Sequence, residues 1–298
     1  MKIQFLNGGL ANQAFQYIFA KYYELSHDGD IMYLDDSYFA LNTVHNGYEL
    51  ESVFGIKPHM LSECFDQDVW EYMLAQKRAG KSIPQTLMEN GMDVCMITEA
   101  ASIYGDFNPF DGKVWKIPVN QYYPEILDFN ETEHVYYHGY WINYNYFAKY
   151  RDVLQEEFTF PPIQDESNRQ LLRRISQEKS VCVHIRRGDY ITLQLAGSME
   201  SIAKNIRQFA HNFGGDWTMF VFSDEIDWCE AHREELGFSE YRETVFVRGN
   251  TNGRNYIDMQ LMSRCKGMIL SNSAFCYLAA LLNREKQVGV NPTSRELG

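Results

Sequence analysis

Two adjacent arginines stand directly after a largely apolar run that predicts a buried strand. The run is Ser180–Ile185, and Arg186 and Arg187 follow it at once. A guanidinium group forks onto two phosphate oxygens, so an arginine at this place is suited to clamp a diphosphate. The alternative is a surface ion pair between one of these arginines and Asp189, which comes two residues later. The motif therefore predicts either a phosphate clamp or a surface ion pair.

Three further predicted strands in the same half of the chain also end in polar or charged residues. They cover residues 218–222, 244–247 and 268–270, and the segments that follow them are Ser223-Asp224-Glu225, Arg248-Gly249-Asn250 and Ser271-Asn272-Ser273. Apolar residues at helical spacing lie between these strands, a pattern typical of a doubly wound parallel sheet. Ligands bind outside the carboxyl ends of such strands. The four segments together therefore predict one composite site.

The chemistry of these segments fits an anionic ligand that carries a nucleoside. Ser271, Asn272 and Ser273 open a predicted helix, where hydrogen-bond donors and the helix dipole favour an anion. The Asp224 carboxylate is suited to accept hydrogen bonds from ribose hydroxyls or from a purine amine. Taken singly, the Ser-Asn-Ser segment is also an ordinary helix N-cap, and His184 an ordinary core histidine. Their joint placement favours the binding site.

The first half of the sequence predicts a second α/β domain. Lys2–Leu6 predicts a strand, Gly8 and Gly9 predict a tight turn, and apolar residues at helical spacing follow. The turn would bring backbone amides close to a ligand, with Asn12 and Gln13 at the start of the helix. A third glycine at dinucleotide-fold spacing is missing, so we do not predict a nicotinamide or flavin site here.

A Pro-Pro pair at positions 161 and 162 indicates the domain boundary, because proline ends helices. The length of 298 residues is enough for about two domains. We predict an N-terminal α/β domain over residues 1–162 and a C-terminal Rossmann-like domain over residues 163–298.

Composition excludes several classes of partner. The formal net charge is −13, whereas domains that track a nucleic-acid backbone are usually basic, so no nucleic-acid partner is predicted. The six cysteines form no CxxC pair, which favours free thiols in a reducing compartment over disulfides or zinc. No apolar stretch approaches the roughly 20 residues of a membrane helix, and no signal peptide is evident. We therefore predict a soluble, cytoplasmic protein without a transmembrane segment.

Six segments resemble, in order along the chain, the patterns of the bacterial α-1,2-fucosyltransferases of glycosyltransferase family 11. They are GGLANQAFQY (Gly8–Tyr17), YELESVFGI (Tyr48–Ile56), GYWINYNYF (Gly139–Phe147), HIRRGDY (His184–Tyr190), FSDEIDWC (Phe222–Cys229) and DMQLMSRCKGMILSNSAFCYLAALL (Asp258–Leu282). The resemblance implies an α/β, GT-B-like fold of two Rossmann-like domains facing a central cleft. It also implies inverting transfer of L-fucose from GDP-β-L-fucose to the 2-hydroxyl of a galactoside, without a metal or other cofactor.

The resemblance also implies roles for individual residues. Arg186 would hold the β-phosphate of GDP and stabilise the departing diphosphate, a catalytic role. His184 and Asp258 would lie near the guanine, and the segment 271–273 near the diphosphate, in a C-terminal domain that binds the GDP-sugar. The Gly-Gly turn would close over the donor from the N-terminal domain, which would be on the acceptor side. The full set of predicted donor-binding residues is His184, Arg187, Asp224, Asp258, Ser271, Asn272, Ser273, Gly8, Gly9, Asn12 and Gln13.

The general base and the acceptor site are predicted from residue chemistry and position. Asp189 is the first candidate for the base because it follows the clamp on the same loop, although it could instead only orient Arg186. Glu200 and Asp35 are weaker candidates for the base. Acceptor contacts are predicted at Trp141, Tyr140 and Asp35, with packing as the alternative for the aromatic cluster at 134–147. The acceptor itself would be lactose, a Gal-GlcNAc or Gal-GalNAc unit, or a lipid-linked repeat.

Three departures from the family patterns keep other functions open. Ala11 replaces a glycine, Ala274 replaces a threonine, and Cys276-Tyr277-Leu278 replaces Ser-Trp-Trp. Two alternatives remain on these grounds. One is a non-catalytic protein that binds nucleotide sugars or glycans, and the other is a transferase for a different nucleotide sugar.

Overall fold

The chain folds into two compact α/β units. The structure, a computed structural model, describes residues 1–42, 46–99, 110–285 and 288–290. The first unit is Met1–Phe158 and the second begins at Thr159, close to the predicted boundary after residue 162. Each unit contains a parallel sheet with helices packed on it, so the α/β class predicted from sequence is confirmed. Within the described ranges, no helix is both long enough and apolar enough to span a bilayer.

The sheet of the first unit has the strand order β2-β1-β5-β3-β4, and all of its pairings are parallel. Its strands are β1 (Lys2–Phe5), β2 (Met32–Asp35), β3 (Val94–Glu99), β4 (Lys113–Ile117) and β5 (His134–His138). Every residue of β5 is buried, whereas β4 forms an exposed edge. A central parallel strand is covered on both faces, which accounts for the run Val135-Tyr136-Tyr137 in the middle of β5.

The helices of the first unit confirm the predicted strand, turn and helix at the N-terminus. They are α1 (Leu10–Ser26), α2 (Ser37–Leu41), α3 (Leu50–Phe54), α4 (Gln67–Arg78), α5 (Ile83–Glu89), α6 (Tyr144–Ala148) and α7 (Arg151–Glu157). Ala11 is the second residue of α1, so its replacement of a glycine leaves the turn intact. The left-handed conformation instead falls on Gly8, with φ of 78°.

The sheet of the second unit has the order β10-β9-β6-β7-β8, also fully parallel. Its strands are β6 (Ser180–Ile185), β7 (Thr218–Ser223), β8 (Glu243–Phe246), β9 (Gly267–Ile269) and β10 (Val288–Val290). The first four of these lie within one residue of their predicted positions. The sequence did not predict β10.

The helices of the second unit alternate with its strands, as predicted. They are α8 (Glu166–Gln177), α9 (Gly188–Thr192), α10 (Met199–Phe213), α11 (Ile226–Ala231), α12 (Tyr256–Met262) and α13 (Ala274–Leu281). Apolar spacing predicts a helix over Ile226–Leu236, but α11 ends at Ala231, and hydrogen-bonded turns lead from there to Gly237.

The core of the second unit is built on both faces of β6. Val181, Val183 and Ile185 point to one face and pack in a cluster with Ile206 and Phe209 of α10. All six cysteines of the chain are free thiols, and all but Cys64 are buried. Coverage on both faces accounts for the nearly continuous apolar character of β6.

The conformation of Gly8 allows a matched stability test. A Cβ at Gly8 would lie 2.7 Å from Asn12 Nδ2, whereas a Cβ at Gly29, with φ of 94°, would meet nothing within 4 Å. We expect Gly29→Ala to lower the free energy of unfolding by about 1–2 kcal/mol through backbone strain, and Gly8→Ala by about 2–4 kcal/mol because a steric term is added. Chemical unfolding followed by tryptophan fluorescence measures both. Equal losses would show that the contact with Asn12 costs nothing.

Candidate functional site

The carboxyl end of β6 places Arg186 between two carboxylates. Its Nη2 lies 2.8 Å from Asp189 Oδ1, and its Nη1 lies 3.1 Å from Asp224 Oδ2. The guanidinium carbon is 5.5 Å from the centre of the Tyr190 ring. One third of the Arg186 side chain is nevertheless exposed to solvent. The guanidinium is therefore oriented by its neighbours while a ligand is still able to reach it.

Arg187 has a different environment from its neighbour. Its Nε donates to Glu225 Oε2 at 2.9 Å, and its guanidinium carbon lies 3.5 Å from the centre of the Trp228 ring. Stacking of this kind uses the planar face of the guanidinium, and the ion pair uses its edge. The side chain thus fastens the loop after β6 to α11. Its predicted contact with the donor stays a prediction.

His184 is a buried, neutral histidine next to the clamp. Its Nδ1 lies 2.8 Å from Ser271 Oγ, a contact between the ends of β6 and β9. Burial and, next, the positive charge of Arg186 lower the pKa of His184 to about 3. The imidazole is therefore uncharged at neutral pH. A neutral ring is suited to exchange hydrogen bonds with an uncharged base or sugar hydroxyl.

Hydrogen bonds within the segment, and one to a distant loop, hold the Ser-Asn-Ser segment at the start of α13. Ser273 is the N-cap, and its Oγ accepts from the N–H of Phe275 at 3.2 Å. The N–H of Ser273 in turn donates to Ser271 Oγ at 3.3 Å. The Asn272 side chain donates to the carbonyl oxygen of Leu195 at 2.9 Å. The ordinary N-cap role is therefore present, and the predicted diphosphate contact stays a prediction.

A cavity of about 190 Å³ opens at the carboxyl ends of β6 and β9. It brings together four residues of the predicted site, which are His184, Arg186, Ser271 and Asn272. The volume is below the roughly 300–1,000 Å³ of pockets that take a whole drug-sized ligand. The cavity therefore has room for a ring-sized part of a ligand.

Sequence reasoning missed the contribution of α10 to this cavity. Ser201 and Asn205 line it, with Ile202 between them. The two polar residues are four positions apart and so share one helix face, beside the buried face that includes Ala203 and Ile206. This polar pair beside an apolar helix face was the one feature of the sequence that could have indicated a contribution of α10 to the cavity.

Asp258 lies at the start of α12 in a buried polar network. Its Oδ1 accepts from Asn250 Nδ2 at 2.7 Å, and Asn250 exchanges two hydrogen bonds with Asn168 at 2.8 and 3.1 Å. Burial raises the pKa of Asp258 to about 6. Asp258 is not one of the described residues that line the cavity beside His184. Both asparagines were missed because nothing local in the sequence relates positions 168 and 250.

The Gly-Gly turn of the first unit is braced by Gln13. The Gln13 side chain donates to the carbonyl oxygens of Gly8 and Gly47, each at 2.9 Å, and accepts from the N–H of Glu49 at 2.8 Å. Gln13 is fully buried, whereas Asn12 is partly exposed. Gln13 therefore stabilises the turn, and contacts of Gly8, Gly9 and Asn12 with a donor stay predictions.

Trp141 is a core residue of the first unit. Its ring is fully buried, stacks on Phe19 with centroids 4.3 Å apart, and donates from Nε1 to Gln4 Oε1 at 2.6 Å. The predicted acceptor contact has no support from this placement, because a fully enclosed ring presents no face to a sugar. The packing alternative for the aromatic cluster accounts for Trp141. Tyr140, the next residue in the prediction, is partly exposed.

Asp35 is likewise buried, and its carboxylate is engaged. Its Oδ2 accepts from the Tyr136 hydroxyl at 2.5 Å, and its Oδ1 accepts from the N–H of Ser37 at 2.9 Å. Neither the predicted acceptor contact nor the role as a base has support from this position. Glu200, the other weak candidate for the base, is exposed in the first turn of α10.

Comparison with known proteins identifies the family. Residues 117–296 match glycosyl transferase family 11, which is more than half of the chain. The protein belongs to this family. The sequence of this family 11 glycosyltransferase is 28% identical to an alpha-1,2-colitosyltransferase of Escherichia coli, over 97% of this chain and 90% of that protein. It is 34% identical to the O-antigen biosynthesis glycosyltransferase WbnK of Escherichia coli, over 37% of each chain.

A solved structure supports the architecture of this family 11 enzyme. The crystal structure of NodZ alpha-1,6-fucosyltransferase soaked with GDP-fucose matches 94% of this chain and 92% of that one, with a TM-score of 0.50 and 12% identity. At that identity the likeness concerns the fold alone. The GT-B-like class of two α/β units that the sequence implied is confirmed.

The raised pKa of Asp258 predicts a stability that depends on pH. Because the folded-state pKa of about 6 lies above the ordinary value of 3.8, folding disfavours the ionised form, and the penalty grows as pH rises from about 4 to 6. Between pH 4 and pH 7.5 we expect the stability of Asp258→Asn relative to wild type to rise by about 2–3 kcal/mol, because the neutral amide carries no such penalty. Thermal unfolding at both pH values measures this. A difference independent of pH would contradict the shift.

Proposed function

We propose that this family 11 enzyme transfers L-fucose from GDP-β-L-fucose to the 2-hydroxyl of a galactose-containing glycan. The observation that carries the proposal is the placement of Arg186. Its partly exposed guanidinium lies at the carboxyl end of a parallel strand and lines a cavity together with Ser271 and Asn272. A cation at that place is suited to a diphosphate, and the helix N-terminus that follows favours the same ligand.

Arg186 would act on the leaving group. In an inverting transfer, the acceptor oxygen attacks the anomeric carbon as the bond to the β-phosphate oxygen breaks from the opposite face. Negative charge then develops on the departing diphosphate, and a positioned guanidinium stabilises that charge. Removal of one such group in other enzymes reduces the rate by roughly 10²–10³. We propose that Arg186 supplies this electrostatic stabilisation without a metal or other cofactor.

Asp189 is the proposed general base. Its side chain is about half exposed, so an acceptor hydroxyl is able to approach the carboxylate. Its contact with Arg186, at 2.8 Å, also supports the alternative that it orients the clamp.

The proposed guanine contacts are His184 and Asp258. A guanine presents N–H donors on one edge, which suit a carboxylate acceptor, and a neutral imidazole is suited to hydrogen bonding with the base. His184 is uncharged at neutral pH, and Asp258, whose pKa is about 6, is mostly ionised there. We also propose the acceptor class, which is lactose, a Gal-GlcNAc or Gal-GalNAc unit, or a lipid-linked repeat. We propose in addition that the protein is cytoplasmic.

A second candidate differs in the donor sugar. The colitosyltransferase relative covers nearly the whole chain, and colitose is the 3-deoxy analogue of L-fucose. GDP-colitose would meet the same diphosphate clamp and differ only at the sugar 3-position. This observation favours a transferase for a different nucleotide sugar as the alternative to the fucosyltransferase.

Replacement of Arg186 tests the clamp. We expect Arg186→Ala to reduce fucose transfer by roughly 10²–10³ because the developing charge loses its partner. The assay follows GDP release from GDP-fucose with lactose and other galactosides, in buffer with EDTA. The control is Arg173→Ala, which removes an arginine of α8 that pairs with Glu166 on the surface. Wild-type transfer by Arg186→Ala would refute the assignment, and GDP binding without any turnover by wild type would favour a non-catalytic protein.

A thermal-shift panel identifies the donor. A ligand at 100 times its dissociation constant stabilises the folded state by about 2.7 kcal/mol, so a true donor shifts the midpoint by several degrees. We expect GDP-fucose to give the largest shift among GDP-fucose, GDP-colitose, GDP-mannose, UDP-sugars and dTDP-sugars. A larger shift with GDP-colitose would establish the second candidate, and a larger shift with a UDP- or dTDP-sugar would refute both.

A further inference from the structure

One carboxylate holds both the backbone and the side chain of the predicted clamp. Asp224 Oδ1 accepts from the backbone N–H of Arg187 at 3.0 Å, and its Oδ2 lies 3.1 Å from Nη1 of Arg186. Asp224 follows β7, and the arginines follow its neighbour β6, so the contact joins two adjacent strand ends. Both carboxylate oxygens therefore act on the loop that carries Arg186.

Gly188 has no side chain at the one point where Asp224 needs the space. A Cβ at Gly188 would lie 2.6 Å from Asp224 Oδ2, which is the same oxygen that contacts Arg186. The φ angle of Gly188 is outside the left-handed region, so the backbone conformation does not require glycine here. Glycine is required because the Asp224 carboxylate comes too close for a side chain.

Two acids, Asp189 and Asp224, orient the Arg186 guanidinium, one at each terminal nitrogen. Asp189 contacts the other terminal nitrogen, Nη2, from within the same loop. Arg187 is occupied by Glu225 and the Trp228 ring and so does not compete for Asp224 through its side chain. An arginine side chain loses rotamer entropy when it is fixed, so a partner that orients it before the ligand arrives strengthens binding.

We infer that Asp224 is a positioning residue that sets Arg186 for the β-phosphate, and that Gly188 lacks a side chain in order to admit it. The inference rests on the proposed role of Arg186 as the diphosphate clamp. The direct contact with ribose or purine predicted for Asp224 stays a prediction, and the experiment below separates it from the positioning role.

GDP and GMP distinguish positioning of the clamp from a contact with the nucleoside. The two ligands differ by the β-phosphate alone, so the ratio of their dissociation constants reports on the clamp. A charge-assisted hydrogen bond to that phosphate predicts that wild type prefers GDP by roughly 10–100-fold. We expect Asp224→Asn to reduce this preference several-fold and to leave the affinity for GMP unchanged. Isothermal titration calorimetry measures both constants.

Gly188→Ala is the second variant, and it leaves the charge of the site unchanged. The new methyl group would displace the end of a flexible side chain and not the backbone, so the fold should survive. We expect the same several-fold loss of GDP preference as in Asp224→Asn. The matched control is Asp227→Asn, an exposed acid on α11 that pairs with Arg248, and it should keep the wild-type ratio.

Arg186→Ala separates failure of this inference from failure of the proposed function. If Arg186→Ala keeps the wild-type preference for GDP, the clamp itself is wrong. If that variant loses the preference while Asp224→Asn and Gly188→Ala retain it, the positioning role is overturned and the clamp stands. Equal weakening of GDP and GMP by Asp224→Asn, or a stronger preference for GDP, would also overturn it. In the Arg186→Ala background, Asp224→Asn should change the ratio no further.

Discussion

The placement of one guanidinium between two carboxylates is the constraint on which the candidate site depends. Arg186, Asp189 and Asp224 together carry one net negative charge, in a chain whose formal net charge is −13. Long-range attraction therefore contributes little to the binding of an anion here. Directed hydrogen bonds from an oriented guanidinium and from a helix N-terminus must supply the affinity. The affinity for an anion consequently depends more on the geometry of the loop after β6 than on the number of positive charges.

The parallel sheet provides that geometry. β6 lies between β9 and β7, and its register pairs Ile185 with Ser223, so the chain leaves both strands at the same level. Asp224 then meets the loop after β6 without a long connection. Burial of β6 on both faces holds the strand, and with it the origin of the loop, in a single position.

The sequence was informative where one element decides the outcome, and less so where distant elements meet. The runs that form β6, β7 and β9 are mostly apolar, and the polar segments after them could be assigned to one edge of the sheet from topology alone. Trp141 could not be assigned, because an aromatic cluster is compatible with packing and with sugar binding until its neighbours are known. The same limit applied to Asn168 and Asn250, since a hydrogen bond between residues 82 positions apart leaves no local pattern.

The two arginines show how the same residue type acquires different roles through its partners. In the sequence Arg186 and Arg187 are equivalent candidates for a clamp, but in the structure Trp228 and Glu225 take up Arg187. Burial disfavours the charged forms of both His184 and Asp258, which lowers the pKa of the histidine and raises that of the acid. The accessible positive charge at the end of β6 is therefore concentrated on Arg186. Such a division suits a ligand with an uncharged base at one end and an anionic diphosphate at the other.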